Sequence, residues 1–458
     1  MSDEEKCEVL IVGAGAAGLA AASTLSQAQV DVLVLEARDR IGGRIYTQRD
    51  PETEVPIELG AEFIHGRPPE IMDLVRRANL PILPVKGERW CSDKGRLNLC
   101  ESLDDEFDQV LGKLPAQGSG PDLSFADFLN TLAGPSEEMR KHLLGYIEGF
   151  EAAYPEKISA QALARENRAS EEIEGYRSFR INCGYHALLS ELTPCRQPDF
   201  PIRLNTVVRE IRWSRNSVEM IAEDASGEIH LHASRAIITL PLAVLKAEEG
   251  QRGAVKFSPA LSSKLGALDS LEMGPVIRIV LRFRERFWER IEADTKDGRK
   301  SLSDMSFLHS DDPEFPTWWT TMPRISPILT AWSAGPHCAG LLSQDGETIV
   351  ARALDALARL MHFDRAELGR LLAAHYLHNW QADPFSRGAY SWAKVGGIEA
   401  AAELARPVDF TLFFAGEATD SNGHNGTVHA ALESGYRAAQ EVLLTLGKVA
   451  RRSNPAAD

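Results

Sequence analysis

Three glycines, Gly13, Gly15 and Gly18, stand in the spacing G-x-G-x-x-G near the start of the chain, and Glu36 follows 18 residues after the last of them. This set suits a phosphate-bearing nucleotide. One glycine allows a tight turn, one lets a pyrophosphate approach the backbone, and one lets a helix pack closely on a strand. The acid falls near the roughly 20-residue offset of a carboxylate that bonds a ribose hydroxyl, and its charge disfavours a 2′-phosphate. Arg38, Arg40 and Arg44 surround Gly42-Gly43 in a turn, where a planar guanidinium fork suits phosphate oxygens. Arg44 is expected to reach the pyrophosphate and Arg40 to be a solvated loop residue. His65, before Gly66, is an ionisable ring at a loop. Near the C-terminus a polar stretch, Ser421 to Asn425, precedes a helix opening at Thr427-Val428, whose free N–H groups could meet partial negative charge.

The elements around these groups read as alternating strands and helices. Val9 to Val12 is a short apolar run fit for a strand buried on both faces. A small-residue helix follows from Leu19, and a second strand, Val30 to Leu35, ends at Glu36. A strand from Ile57 stops at Gly60-Ala61, where the backbone could approach something flat. Residues 71 to 183 are mostly helical in period, as at Ile71 to Ala78 and Phe125 to Leu132, with a Pro/Gly-rich loop from Leu114 to Leu123. Aromatics and acids interleave from Tyr146 to Pro155; they could line a pocket for a cation, but a helix with a core stripe is the preferred reading. From Ile202 the pattern turns to strands (202–205, 206–211, 217–222, 228–232 and 236–239), which fits a sheet inserted in a nucleotide-binding domain. Val276 to Phe283 alternates so as to place Arg278 and Arg282 on one face. Trp318, Trp319 and Trp332 belong to further strands, Glu347 to Met361 is an amphipathic helix, and Phe410 to Glu417 is a strand ending at Gly416. No internal repeat or low-complexity stretch is present.

At 458 residues the chain exceeds one ordinary core. Hydrophobic content of 44% and charged content of 25% are those of a soluble globular protein. A formal net charge of −16 disfavours nucleic acid and anionic membranes as partners. The acidic N-terminus leads straight into a strand without a signal-peptide pattern, and no apolar run approaches the roughly 20 residues of a membrane span; the expectation is a cytoplasmic protein. The six cysteines form no C-x-x-C pair and no zinc spacing, so neither a metal nor a disulfide is expected.

The segments GAGAAGLAAA with Glu36, IGGRIYT, ELGAEFIHG, TLPLAVL and FFAGEATDSNGHNGTVHAALESGYRAA together resemble the flavin-containing amine oxidases, the group of monoamine oxidases, polyamine oxidases and the lysine-specific histone demethylase. The resemblance spans both ends and the middle of the chain. It implies an α/β fold: a discontinuous Rossmann-like domain binding FAD (1–70, 184–258 and 384–448), an interleaved α+β substrate domain (71–183 and 259–383) and a polar tail, 449–458. Cofactor positions carried over are Gly13, Gly15, Ala17, Gly18, Glu36, Ala37, Arg38, Gly43 and Arg44 for the adenosine and pyrophosphate, with Val208 at the adenine. Gly60, Ala61, Glu62, Trp380, Gly416, Glu417, Thr427 and Val428 fall to the flavin end. Ala389 stands where monoamine oxidases carry the cysteine bonded to flavin, so FAD is expected to be non-covalent.

Catalytic positions implied by the resemblance are His65, Tyr390 and Arg278. His65 matches a histidine of animal polyamine oxidases. Tyr390 matches an aromatic beside the substrate amine, whereas the opposing tyrosine of monoamine oxidases is Thr427 here. Arg278 takes the place of the family's lysine; it keeps the charge but cannot lose its proton and holds its donors in a planar fork. The implied activity is FAD-dependent oxidation of an amine C–N bond by hydride transfer, with imine hydrolysis and reduction of O2 to H2O2. The expected partners are a small-molecule amine and O2. The alternatives are a flavin dehydrogenase or desaturase with another acceptor, and a flavin-bound interaction protein without turnover.

Overall fold

The computed structural model describes residues 5–93, 95–100, 104–193, 201–296 and 298–448; Cys195 and the expected polar tail lie outside them. Five strands make one parallel sheet in the order Ile202–Arg203, Val32–Leu35, Val9–Val12, Arg235–Ile238, Leu412–Phe414. The three central strands are buried at every residue, as a parallel sheet covered on both faces requires. One face carries the helices Ala16–Gln27 and Val428–Thr445. Their contact depends on small residues: a Cβ on Gly435 would lie 2.2 Å from the Ala17 carbonyl oxygen. The other face is covered by the antiparallel strands Val207–Ser214, Ser217–Asp224 and Gly227–Ala233, whose Val208, Ile211, Met220 and Leu231 pack on Leu10, Val12, Leu33 and Leu35. The second strand starts at Val32, two residues later than expected. Val30 is buried, but its N–H closes the preceding helix on the Leu25 carbonyl.

A seven-stranded sheet stands apart from the first, in the order Leu372–Leu377, Val276–Phe283, Ile328–Ala334, Thr317–Thr320, Met305–Ser310, Glu88–Asp93, Arg96–Leu99. The strand Val276–Phe283 divides by parity. Ile277, Ile279, Leu281 and Phe283 join the core formed with the helix Gly346–Leu360, while Val280 packs on Ile57 and Leu59. Arg278 and Arg282 share the face of Val280 and are both 5% exposed; Arg278 meets the loop carrying Gly60 and Glu62, while Arg282 pairs with Asp50 and Glu52. A helical layer (Phe125–Thr131, Glu137–Gly149, Ala160–Glu172) adds a third core. Each of these helices begins on a serine, Ser124, Ser136 or Ser159, that accepts an N–H three residues on.

Two expectations are corrected here. Cys91 and Cys100 are joined by a disulfide. Their separation of nine residues matches no short motif, and only the hairpin pairing of Glu88–Asp93 with Arg96–Leu99 brings their Cα atoms to 5.0 Å. The helix Glu137–Gly149 does carry the expected core stripe, Met139, Leu143 and Ile147. Its end, however, from Tyr146 through Glu151, turns to a cavity.

Candidate active site

A cavity of about 3260 Å³ runs between the two sheets. It exceeds the roughly 300–1,000 Å³ of a drug-sized pocket several-fold, which leaves room for a long cofactor and a substrate together. Every site residue expected from the sequence lines it except Gly18. The reason for that exception is steric. A Cβ on Gly18 would lie 1.9 Å from the Gly13 carbonyl oxygen, so this glycine sets the closeness of helix and strand and touches no ligand space. Gly13 has φ +103°, and a Cβ there would lie 2.6 Å from Thr239 Oγ1.

At one end, Glu36 accepts the N–H groups of Ala14 at 2.8 Å and Arg38 at 3.0 Å, so its carboxylate braces the glycine turn, with Val208 across from it on the cavity wall. Arg38 donates to Asp383 at 2.9 Å. Arg40 is not a solvated loop arginine: its guanidinium lies 3.9 Å over the Tyr46 ring and donates to the Gly43 carbonyl, clamping the turn from beneath. Arg44 Nη1 donates to the Ala389 carbonyl at 2.7 Å and to Glu417 at 2.8 Å. Glu417 also accepts from the Ser391 hydroxyl and from the N–H groups of Ser391 and Gly426, so it organises the loops around the cavity through other residues. Thr427 caps the helix Val428–Thr445 by accepting from the Ala430 N–H.

Glu62 is the hub of the middle section. It accepts from Arg180 Nε at 2.6 Å, from Trp319 Nε1 at 3.0 Å and from Arg278 Nη2. Burial alone would raise its carboxyl, but Arg278 and Arg180 hold it below the usual value. Arg278 Nη1 donates to the Gly60 carbonyl at 2.7 Å, while its Nε is buried without a hydrogen-bond partner. Trp380 donates to the Leu59 carbonyl at 2.7 Å, next to Gly60. The backbone at Gly60-Ala61 is thereby held from both sides. Arg180 has no sequence signature, and sequence reading missed it.

Beyond this hub the wall is aromatic. His65 sits 6.0 Å from the Phe63 ring and 5.5 Å from Phe150, with Nδ1 3.3 Å from Ser178 Oγ. Burial pushes its pKa down to about 4, so the ring is neutral. The Tyr390 hydroxyl donates to the Phe150 carbonyl at 2.6 Å, which holds the phenol in place, and burial raises its pKa. Tyr146 stacks on Phe150 with centroids 5.1 Å apart. Next to them, burial raises the carboxyl of Glu151, which is hydrogen-bonded to Tyr146. Glu166 is raised by burial and by the charge of Glu151. Among the described residues Glu151 has no ion-pair partner.

A parallel sheet with a glycine turn at the C-terminal ends of its strands, opening on a cavity roofed by a second sheet, defines a dinucleotide-dependent enzyme with room for a substrate beside the cofactor. The profile of the family described as "Flavin containing amine oxidoreductase" matches residues 16–136 and 122–443, and the chain belongs to that family. Polyamine oxidase 3 of Oryza sativa subsp. japonica is 29% identical over 463 residues, covering 94% of this chain and 88% of that protein. The human lysine-specific histone demethylase 2 is 27% identical, covering 96% of this chain and 54% of that protein. In fold the chain is similar to putrescine oxidase bound to putrescine (TM-score 0.77, 21% identity, 96% and 99% of the two chains) and to cyclohexylamine oxidase from Brevibacterium oxydans IH-35A (TM-score 0.76, 20% identity, 96% and 100%).

The cofactor is FAD, and the residues present fit it. Gly13, Gly15 and Glu36 line one end of the cavity, its volume holds an extended dinucleotide, and Gly60 and Ala61 line its middle section, where Arg278 Nε is buried without a partner.

Proposed function

We propose that this amine oxidoreductase acts on a diamine or polyamine and passes the electrons to O2, giving H2O2. The observation that carries the substrate class is Glu151, a half-buried carboxyl on the cavity wall, raised by burial to about 7, with no cation beside it among the described residues. A second ammonium on the substrate would supply the missing charge. The hydride acceptor for the carbon next to the amine would be supplied by bound FAD. The protein's own residues do the positioning. Glu62, through Arg278, holds the Gly60 carbonyl; Tyr390, held by the Phe150 carbonyl, offers a ring face to the amine; and Phe63, Phe150 and Trp319 line the cavity with aromatic surface.

In this reading Gly13, Gly15, Ala17, Gly43 and Arg44 hold the pyrophosphate, Glu36 the ribose and Val208 the adenine. The helix N-terminus at Thr427-Val428, on the cavity wall, would offer its N–H groups to the flavin, and Ala389 offers no atom for a covalent flavin link. The cofactor domain comprises 1–70, 184–258 and 384–448, and the substrate domain 71–183 and 259–383. Among the described residues no helix is long and apolar enough to cross a membrane; we place the protein in the cytoplasm.

The reacting amine must be neutral, so turnover rises with pH. His65, neutral above about pH 4, contributes no limb to that profile. The test is anaerobic bleaching of the yellow holoenzyme by putrescine, spermidine, a simple monoamine and an amino acid. Diamines and polyamines are expected to bleach it fastest, and Glu151→Gln to raise their KM about tenfold, the equivalent of about 1.4 kcal/mol. Equal bleaching by the monoamine, with no effect of Glu151→Gln, refutes the substrate class.

One observation favours a second reading, a dehydrogenase using another acceptor: Arg278 stands where the family carries a lysine, its Nη1 and Nη2 are held by the Gly60 carbonyl and Glu62, and a guanidinium cannot give up its proton. Turnover with an artificial acceptor, combined with no peroxide in air, would select it.

A further inference from the structure

Cys91 and Cys100 line the same cavity as the cofactor and substrate residues. The hairpin ladder sets Cys91 opposite Asn98, and the Cys100 N–H donates to the Arg89 carbonyl at 2.9 Å. Because strand side chains alternate faces, Cys100 shares the face of Asn98 and lies diagonal to Cys91. The hairpin ends the seven-stranded sheet, with Arg96–Leu99 as its edge strand. The free cysteines of the described chain differ in placement and chemistry. Cys7, Cys183 and Cys338 do not line the cavity, and burial pushes the thiols of Cys7 and Cys338 up to about 12, which keeps them protonated and unreactive.

We propose that Cys91 and Cys100 are a dithiol that hydrogen peroxide produced in this cavity oxidises to the disulfide, making the hairpin a modification site for the enzyme's own product. The inference rests on the reading that O2 is reduced to peroxide. One thiolate attacks a peroxide oxygen and the O–O bond breaks. The sulfur becomes a sulfenic acid, and the leaving hydroxide takes a proton to become water. The second thiol attacks that sulfur and displaces a second water as the S–S bond forms. Two thiols lose two electrons and two protons, and the peroxide gains both and ends as two waters. A disulfide of this kind, made and reduced in turn, is the usual form of disulfide in a cytosolic protein. It ties the edge strand to its neighbour just before the helix Asp104–Leu111, whose Phe107, Asp108 and Leu111 line the same wall. Without it the hairpin is held by its backbone ladder.

The test starts from holoenzyme reduced with a phosphine under argon and freed of reductant. It is turned over in air with spermidine, then alkylated and mapped by mass spectrometry, with peroxide in the medium measured in parallel. Cys91 and Cys100 are expected to be alkylated before turnover and bridged after it, while Cys7 and Cys338 do not change. In Cys100→Ser, Cys91 should instead yield a dimedone adduct. Peroxide accumulating while both cysteines stay alkylatable overturns the proposal. If turnover yields no peroxide, the oxygen reading fails separately, and peroxide added to the reduced holoenzyme decides: bridging upholds the dithiol site and persistent thiols overturn it.

Discussion

Replacing Glu62 by Gln tests whether the site is built around one carboxylate. Glu62 neutralises two guanidiniums, Arg278 and Arg180, and also accepts from Trp319, all in a buried setting. A glutamine keeps one acceptor oxygen, but it loses the charge and turns an amide N–H₂ toward a donor. Breaking a buried ion pair by removing one partner costs about 3–5 kcal/mol. An unfolding entropy of about 2.1 cal/mol/K per residue gives roughly 1 kcal/mol/K for this chain, so Tm should fall by ~4 °C. The assay is thermal unfolding of holoenzyme, wild type against E62Q, with flavin release followed by fluorescence. Because Arg278 holds the Gly60 carbonyl at 2.7 Å, E62Q should also release flavin at a lower temperature than wild type. A Tm within about 1 °C of wild type, with unchanged flavin release, would refute the hub.

Three further outcomes follow from the geometry. Gly18→Ala forces a Cβ to 1.9 Å from the Gly13 carbonyl; beyond the ~1–3 kcal/mol of ordinary overpacking, backbone must move, and the purified protein should show a reduced flavin-to-protein absorbance ratio. Burial raises the Glu58 carboxyl to about 7. For an acid raised on folding, the stabilisation is complete below the unfolded value and lost as pH rises through the folded one, so wild type should lose up to ~3 kcal/mol between pH 5 and pH 9 relative to Glu58→Gln, as read by denaturant unfolding. Tyr390→Phe removes the hydrogen bond to the Phe150 carbonyl and should cost about 1 kcal/mol of stability, with a larger effect on kcat/KM than on Tm, because the ring loses its anchor beside the substrate.

What the sequence determined by itself is local. The glycine spacing, the apolar strands expected at Val9–Val12 and Ala236–Thr239 and the alternation of Val276–Phe283 each carry a period or a turn requirement that neighbouring residues impose on one another; the structure has the first and third of these strands where the pattern puts them and the second one residue earlier, at Arg235–Ile238. The motifs also identified the family. What only the tertiary structure decided are pairings between distant segments, whose energies depend on burial and charge compensation rather than spacing. Arg180 meets Glu62 from 118 residues away, and Arg40, expected in solvent, stacks on Tyr46 because the turn folds back on itself. The cysteines become a bonded pair only through a hairpin that the seven-stranded sheet holds in register. The end of the helix Glu137–Gly149 faces a cavity because a second sheet closes over it. A carboxylate reads the same in sequence whether solvated, paired or isolated, and only its surroundings in three dimensions distinguish Glu62, Glu151 and Glu417.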